Sequence, residues 1–450
     1  NIVNFGRKHK VFMKLILGMG ITGLSVARFF ANNKEIFRIA DSRKEPSLFQ
    51  TFQKENLLLD CCLGEWNESI LDGIDEVIIS PGIAQSERIV QWIRKRKIKL
   101  LSDIELFGHH SNAPIIGITG SNGKSTVTQL LGDMGIASNL NAVVCGNIGS
   151  PVLECISDTA DLYIVELSSY QLDYTSRLEL FAGVITNISP DHLDRYDNYE
   201  AYIASKLSIY PYCKNVIINL DEPLLSDLEG DSYFSLEKND SNCVFSARKM
   251  GSSYEVFYKE QLIITSNELL VVGRHNIENL LAALSLGFQF GMPIERMIEA
   301  AKRFKGLPHR LEFITSINEV DFYNDSKSTN AISTKSAIIS LLEKYSHLVL
   351  ILGGIAKQED YSELFALISE KIETVVLIGE STRIFSEEIA SPVVKNARTM
   401  DEAVSLSKSL AKGGAILLSP ACASFDMFLD FNDRGDQFKY YVTGGNQLPS

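Results

Sequence analysis

Nine short aliphatic runs recur along the chain, at 14–17, 77–79, 115–118, 163–165, 183–185, 216–218, 348–352, 375–378 and 415–418. Most are followed by a turn and then an amphipathic helical pattern. Each run is short enough to be a strand buried on both faces, which a parallel sheet packed between helices requires. The stretch at 254–272, YEVFYKEQLIITSNELLVV, breaks the alternation and reads as a hairpin or small side sheet. Two seams interrupt the pattern. One is 101–114 (LSDIELFGHHSNAP), polar and closed by a proline; the other is 305–310 (KGLPHR), where Gly306 and Pro308 mark a connection. With 450 residues and ~150 per domain as a soft prior, the pattern predicts three α/β domains, spanning 1–102, 103–307 and 308–450.

Composition narrows the partners. There are 43 Lys and Arg against 56 Asp and Glu, a net charge of −13. A nucleic-acid partner is not expected, because neutralising phosphates needs a basic surface. An anionic ligand must therefore be held by a few local cations or by backbone amides. No apolar run approaches the ~18 residues of a spanning helix, so no membrane insertion is expected. The opening NIVNFGRKHKVFMK is basic but lacks the apolar core and cleavage site of a signal peptide. The seven cysteines are odd in number and scattered without a CxxC pair, which fits reduced thiols in a cytoplasmic protein.

Open parallel sheets bind ligands beyond the carboxyl ends of their strands, so the residues just after each run carry the chemistry. After 115–118 comes Thr119-Gly120-Ser121-Asn122-Gly123-Lys124-Ser125-Thr126. Glycines let backbone N–H groups approach phosphate oxygens, Lys124 neutralises them, and a hydroxyl of Ser125 or Thr126 can ligate Mg²⁺. The helix that follows points its positive end at the anion. Ile118 stands where the full phosphate-loop pattern has its first glycine. The next run ends at Glu166, a carboxylate suited to Mg²⁺ beside such a loop, although alone it would more often cap a helix. The run after that leads to Ser189-Pro190-Asp191-His192-Leu193-Asp194-Arg195. Asp191, His192 and Asp194 offer ligands or acid–base groups, while Ser189, Pro190 and Asp191 also suit a helix start.

The first run ends Gly18-Met19-Gly20-Ile21-Thr22-Gly23, a G-x-G-x-x-G, with Asp41 eighteen residues beyond. Alone this suggests a dinucleotide site. The loop at 120–126 already offers a nucleotide site, and the glycine turn could equally hold the diphosphate or uracil end of a sugar nucleotide, which leaves an NAD-dependent oxidoreductase as runner-up. The last third carries Asn324-Asp325-Ser326-Lys327-Ser328-Thr329-Asn330, then Gly353-Gly354-Ile355-Ala356-Lys357, then Ser419-Pro420-Ala421-Cys422-Ala423-Ser424-Phe425-Asp426. Lysines and hydroxyls at strand ends suit a small acidic substrate.

Taken together, these segments resemble the Mur ligases, which join amino acids to the peptidoglycan precursor. The resemblance runs through GSNGKST at 120–126, ELSSYQLD at 166–173, GRHNIENLLAA at 273–283, GLPHR at 306–310 and SPACASFDMFLDFNDRG at 419–435. DSKSTN at 325–330 resembles the member that adds D-glutamate. The resemblance implies three domains on mostly parallel sheets: a Rossmann-like amino-terminal one, a P-loop-type central one with a small side sheet, and a Rossmann-like carboxy-terminal one. It implies that ATP phosphorylates the carboxylate of UDP-N-acetylmuramoyl-L-alanine and that the amine of D-glutamate attacks the acyl phosphate, in cytoplasmic precursor synthesis by a monomer.

Carried over residue by residue, the resemblance implies that Gly120, Ser121, Asn122, Gly123, Lys124, Ser125, Thr126, Asn276, Asn279, Arg310 and Asp325 bind ATP. Ser125, Glu166, His192 and Lys206 would serve two Mg²⁺ ions, Lys206 as a carbamate made from CO₂. Ile21, Thr22, Asp41, Ser42, Arg43 and Gly82 would line the uridine-diphosphate site, with Asn147 and Ser168 nearer the muramoyl part. Lys327, Thr329, Lys357, Ser424 and Phe431 would receive D-glutamate. Two positions depart from the pattern: GGIAK stands where the family member has GGDGK, and Asp430 replaces an asparagine. By sequence alone Lys206, within the helical stretch 198–207, reads as a surface lysine. Rival readings are another Mur step, a folylpolyglutamate synthase, the oxidoreductase, or a non-catalytic nucleotide switch. The switch would leave the three loops of the last third without a purpose.

Overall fold

The computed structural model describes residues 13–58, 60–190, 195–237, 242–251, 253–391 and 393–445. It is an α/β protein built on mostly parallel sheets, and all nine aliphatic runs lie in strands. Two compact units emerge: the chain up to Val244 together with Ala282–Met297, and Phe245–Leu281 together with the chain from Ile298 onward.

In the first unit, a parallel sheet has the order Cys61–Leu63, Phe37–Asp41, Met13–Leu17, Ile74–Ile79, Lys99–Leu101. Strand order reverses between Met13–Leu17 and Ile74–Ile79, the place where such sheets open a ligand crevice. A second parallel sheet runs Ser232–Ser235, Cys213–Asn219, Leu180–Ile185, Ile115–Thr119, Leu162–Glu166, Ala142–Gly146. Every residue of Ile115–Thr119 and Leu162–Glu166 is buried. Helices cover both faces of a central parallel strand, which is why these two segments read as unbroken apolar runs rather than as alternation.

The seam at 101–114 contains a helix. Ser102 caps the helix Asp103–His110 by accepting from the Glu105 amide at 3.1 Å, and Phe107 packs edge-on against Tyr163 with ring centroids 4.9 Å apart. Three apolar residues, Ile104, Leu106 and Phe107, draw the segment into the core. Asp103 goes in with them. Its Oδ1 has no hydrogen-bond partner among the described residues, and burial pushes the carboxyl up to about 6, against the amides of Ile104 and Asp103 itself.

A carboxyl raised in this way favours the folded state fully below its unfolded value near 3.8, and that margin is lost as pH rises through about 6. Asp103→Asn should therefore melt higher than the parent at pH 8, with the difference vanishing by about pH 4. At 1.36 kcal/mol per pKa unit the ceiling is ~3 kcal/mol. Parallel pH profiles of thermal melting for the two proteins would contradict this.

In the second unit, Ser253–Tyr258 pairs antiparallel with both Cys243–Met250 and Gln261–Thr265, so the break in the alternation at 254–272 is an antiparallel hairpin preceded by one further antiparallel strand, not a sheet of its own. The third sheet runs Glu312–Ile317, Val320–Asn324, Gly414–Leu418, Leu348–Gly353, Thr374–Ile378, Val393–Asn396. All its pairs are parallel except the first. Among the described residues no helix is long and apolar enough to cross a membrane. Cys61, Cys62, Cys145, Cys155, Cys213 and Cys422 are in no disulfide.

Candidate active site

The phosphate loop follows the central strand Ile115–Thr119 and opens the helix Lys124–Ala137. Ile118, at the position of the missing first glycine, is a fully buried strand residue level with Glu166 on the neighbouring strand. The turn is made two residues later. Gly120 has φ +147, and a Cβ there would collide with Thr186 Oγ1. That hydroxyl donates to the Asn122 carbonyl at 2.6 Å. The Asn187 side chain accepts from the Asn122 amide at 2.9 Å, and Ser121 Oγ bonds Ser189 and the Tyr202 hydroxyl. The segment after the strand Leu180–Ile185 thus builds the loop's floor. Lys124 curls back, its Nζ donating to the carbonyls of Gly120 and Ser121 at 2.8 Å each.

Lys206 is not a surface residue. It is 2% exposed, its Nζ donates to the same Gly120 carbonyl at 2.7 Å, and it lies 4.7 Å from the centroid of the Tyr202 ring. Glu166 ends its strand buried. Its Oε1 accepts from Asn147 Nδ2 at 2.7 Å, while Oε2 is buried with no hydrogen-bond partner among the described residues. An inaccessible carboxylate oxygen left open beside a phosphate loop fits a hard cation, and Mg²⁺ needs only one or two protein ligands when phosphates supply others. Ser125 lies half-buried in the helix's first turn. Among the described residues no group of three or more His, Cys, Asp or Glu could hold a metal. His192, with Asp191 and Asp194, lies outside the described residues.

At the amino-terminal crevice, the three glycines do different work. Gly18 takes φ +98 against Ser80, and a Cβ on Gly23 would strike the Gly18 carbonyl. A Cβ on Gly20 would meet no other residue within 4 Å, so that face is open to a ligand. Asp41 is buried and its oxygens are taken: Oδ2 accepts from the Met19 amide at 2.8 Å and from Arg43 Nη2 at 2.7 Å, Oδ1 from Arg43 Nε at 2.9 Å. Burial pushes this carboxyl up, but the bonds from Arg43 and the Met19 amide outweigh it and hold it below the ordinary carboxylate range. An acid so engaged is poorly placed to receive both hydroxyls of a nicotinamide-cofactor ribose. Ile21 is exposed and Thr22 half-buried beside the turn, and Ser42 and Arg43 are exposed after Asp41.

Arg195 ties this crevice to the central sheet, donating to the carbonyls of Pro81, Gly82 and Ile83 and stacking 3.9 Å over the Tyr170 ring. Ser168 caps the short helix Ser169–Leu172 in a capping box with Gln171.

In the second unit, Asn276 and Asn279 sit on the helix Arg274–Phe290; Asn276 Nδ2 turns back to the Val272 carbonyl at 2.7 Å, and Asn279 is buried. The GLPHR and DSKSTN segments are joined there. Asp325 Oδ1 accepts from the Leu311 amide at 3.0 Å and Oδ2 from Ser419 Oγ at 2.7 Å, while the Lys327 amide donates to the His309 carbonyl at 2.9 Å. Burial pushes Asp325 up to about 6. Arg310 is exposed.

Lys357 Nζ donates to Thr329 Oγ1 at 3.1 Å, and Lys327 Nζ lies 3.8 Å from the Phe431 centroid. Ser424 is buried. The structure therefore brings together Lys327 with Phe431, and Lys357 with Thr329. Sequence reasoning missed Arg434, fully buried behind these loops; its only signal was an arginine inside the FNDRG segment.

Three family descriptions match the chain: a MurD-like Mur ligase amino-terminal domain over residues 13–102, the Mur ligase middle domain over 118–287, and the Mur ligase glutamate ligase domain over 309–422. A protein of Marinobacter nauticus named UDP-N-acetylmuramoylalanine–D-glutamate ligase is 40% identical over 436 residues, 96% of this chain and 98% of that one. One of the same name from Coxiella burnetii is 40% identical over 430 residues, 95% of this chain and 97% of that one.

Among solved structures, a UDP-N-acetylmuramoyl-L-alanyl-D-glutamate–2,6-diaminopimelate ligase has TM-score 0.61 at 16% identity, covering 92% of this chain and 93% of that one. The UDP-N-acetylmuramate-alanine ligase MurC of Thermotoga maritima has TM-score 0.57 at 16% identity, covering 97% and 100%. These share the fold. The sequence match over nearly the whole length shows that the chain belongs to the Mur ligase family.

Proposed function

We propose that this chain is the ligase that adds D-glutamate to UDP-N-acetylmuramoyl-L-alanine, working as a cytoplasmic monomer. The observation that carries the reading is the 40% identity, across 96% of the chain, to a protein of that printed activity. In the first step a carboxylate oxygen of the L-alanyl group attacks the γ-phosphorus of ATP, and ADP leaves. The amine of D-glutamate then attacks the acyl carbon, loses a proton, and inorganic phosphate leaves with the former carboxylate oxygen.

Such chemistry asks the protein mainly to position groups and screen charge. Lys124 and the amides of 120–126 hold the transferring phosphates. Asn276, Asn279, Arg310 and Asp325 contact the nucleotide. Mg²⁺, two ions in this reading, neutralises phosphate charge when bound; Ser125, Glu166, His192 and a carbamylated Lys206 would hold it. The glycine turn at 18–23 with Ile21, Thr22, Asp41, Ser42, Arg43 and Gly82 takes the uridine diphosphate, and Asn147 and Ser168 the muramoyl part. D-Glutamate carries two carboxylates; Lys327, Lys357, Thr329 and Ser424 supply cations and hydroxyls for them, beside Phe431. The domain limits 1–102, 103–307 and 308–450 belong to this reading.

The test is ADP release with UDP-N-acetylmuramoyl-L-alanine as donor and D-glutamate, L-glutamate or meso-diaminopimelate as acceptor. Release only with D-glutamate is expected. Release only with meso-diaminopimelate would move the chain to another step of the family.

A further inference from the structure

Two of the acceptor loops meet on a side chain that no step of the reaction uses. Arg434 lies in the first turns of the helix Phe431–Val442 and is 0% exposed. Its Nε donates to Ser326 Oγ at 2.9 Å, its Nη2 to the Ser326 carbonyl at 2.8 Å, and its Nη1 to the Cys422 carbonyl at 3.0 Å. The Ser326 hydroxyl passes the connection on, donating to the Phe431 carbonyl at 2.7 Å. Ser326 immediately precedes Lys327, and Cys422 stands two residues before Ser424. Next to Arg434, Gly435 lets the helix dock flush. A Cβ there would strike His309 Nδ1, and the Gly435 carbonyl accepts from Asn324 Nδ2 at 3.2 Å.

The three bonds of the guanidinium all go to neutral oxygens, an expensive way to bury a cation. Burial pulls Arg434 down to about 10, so it stays charged at neutral pH. A stability role alone would be met as well by an apolar side chain of similar volume. What the guanidinium adds is a rigid planar fork that fixes several acceptors at set angles, which a lysine cannot reproduce.

We propose that Arg434 is a positioning residue for the acceptor: its fork sets the spacing between the 325–329 loop, the 419–424 loop and Phe431, and so the affinity for the amino-dicarboxylate. The proposal rests on the D-glutamate reading above. It does not require Arg434 to touch the substrate.

Arg434→Lys keeps the charge and loses the fork. The variant should raise KM for D-glutamate by ~10-fold or more, since displacements near 1 Å are costly in such sites, with a smaller fall in kcat. KM for the UDP-linked donor should stay within ~2-fold, because that ligand does not depend on this spacing. Ser326→Ala, which removes one hydroxyl of the relay, should raise the same constant by a smaller factor. A folded Arg434→Lys with unchanged KM for D-glutamate, or with both constants rising together, would overturn the proposal. If Arg434→Lys does not fold by circular dichroism, Ser326→Ala decides: an unmoved KM for D-glutamate overturns it. Absence of D-glutamate-dependent ADP release by the wild-type chain would instead overturn the ligase reading itself.

Discussion

Lys124→Ala is expected to lower kcat for ADP formation by at least ~10²-fold, the usual loss when a group aimed at developing charge is removed. The lysine heads the helix Lys124–Ala137, where backbone amides already point at an anion. Its ammonium rests on the carbonyls of Gly120 and Ser121, inside the loop whose anion it would neutralise. The fold should survive. Thr186, Asn187, Ser189 and Tyr202 hold the loop through their own hydrogen bonds, and Lys124 is only half-buried. Circular dichroism and a melting temperature close to the parent's should accompany the lost turnover. Near-normal turnover in a folded variant would remove the 120–126 loop from the mechanism.

Much of this arrangement was legible because central parallel strands carry their burial in their own composition. The runs at 115–118, 163–165 and 348–352 needed no partner to be recognised, being apolar on both faces. Edge strands hid for the converse reason. Cys61–Leu63 and Lys99–Leu101 are three residues each, and Ala142–Gly146 is mostly half-buried. Val320–Asn324 reads VDFYN, with a buried phenylalanine and tyrosine beside polar residues, so its place next to Gly414–Leu418 could not be foreseen. The helix inside the 101–114 seam was not legible because LSDIELFGHHSNAP is polar on average, whereas a capped helix needs only three apolar residues on one side to dock.

The two departures from the family pattern are also intelligible locally. Ile355 and Ala423 exchange backbone hydrogen bonds at 2.9 and 3.0 Å, a pairing indifferent to the side chain at 355. Asp430 caps the helix Phe431–Val442 by accepting from the Asp433 amide at 2.9 Å, work that asparagine performs equally well. Neither substitution disturbs the backbone that carries Lys357, Ser424 and Phe431. Arg434 was the real omission, and for Lys206 it was the burial that could not be read. Their burial comes from contacts 108 and 86 residues away in sequence, to Ser326 and Gly120, which no local pattern encodes.

For Lys206 that burial turns a surface-lysine reading into a sharper expectation. Two ammonium groups, Lys124 and Lys206, donate to the one Gly120 carbonyl at 2.8 and 2.7 Å. Like charges so close repel, more strongly where water is excluded, and Lys206 is 2% exposed. Addition of the neutral Nζ to CO₂, with release of a proton, converts that cation into a carbamate anion. The repulsion becomes attraction toward Lys124, and the new oxygens suit a hard cation. Lys206→Ala should therefore lose most of its activity, at least ~10²-fold if the anion acts on the phosphate-transfer site. Acetate or formate, small enough to enter the vacated space, should restore part of it, and chloride at equal ionic strength should not. Independently of turnover, the wild-type protein in ¹³C-labelled bicarbonate should show a carbamate carbon resonance that the alanine variant lacks. Full activity in the alanine variant, or no such resonance in the active wild-type enzyme, would leave Lys206 as a buried ammonium that merely braces the loop.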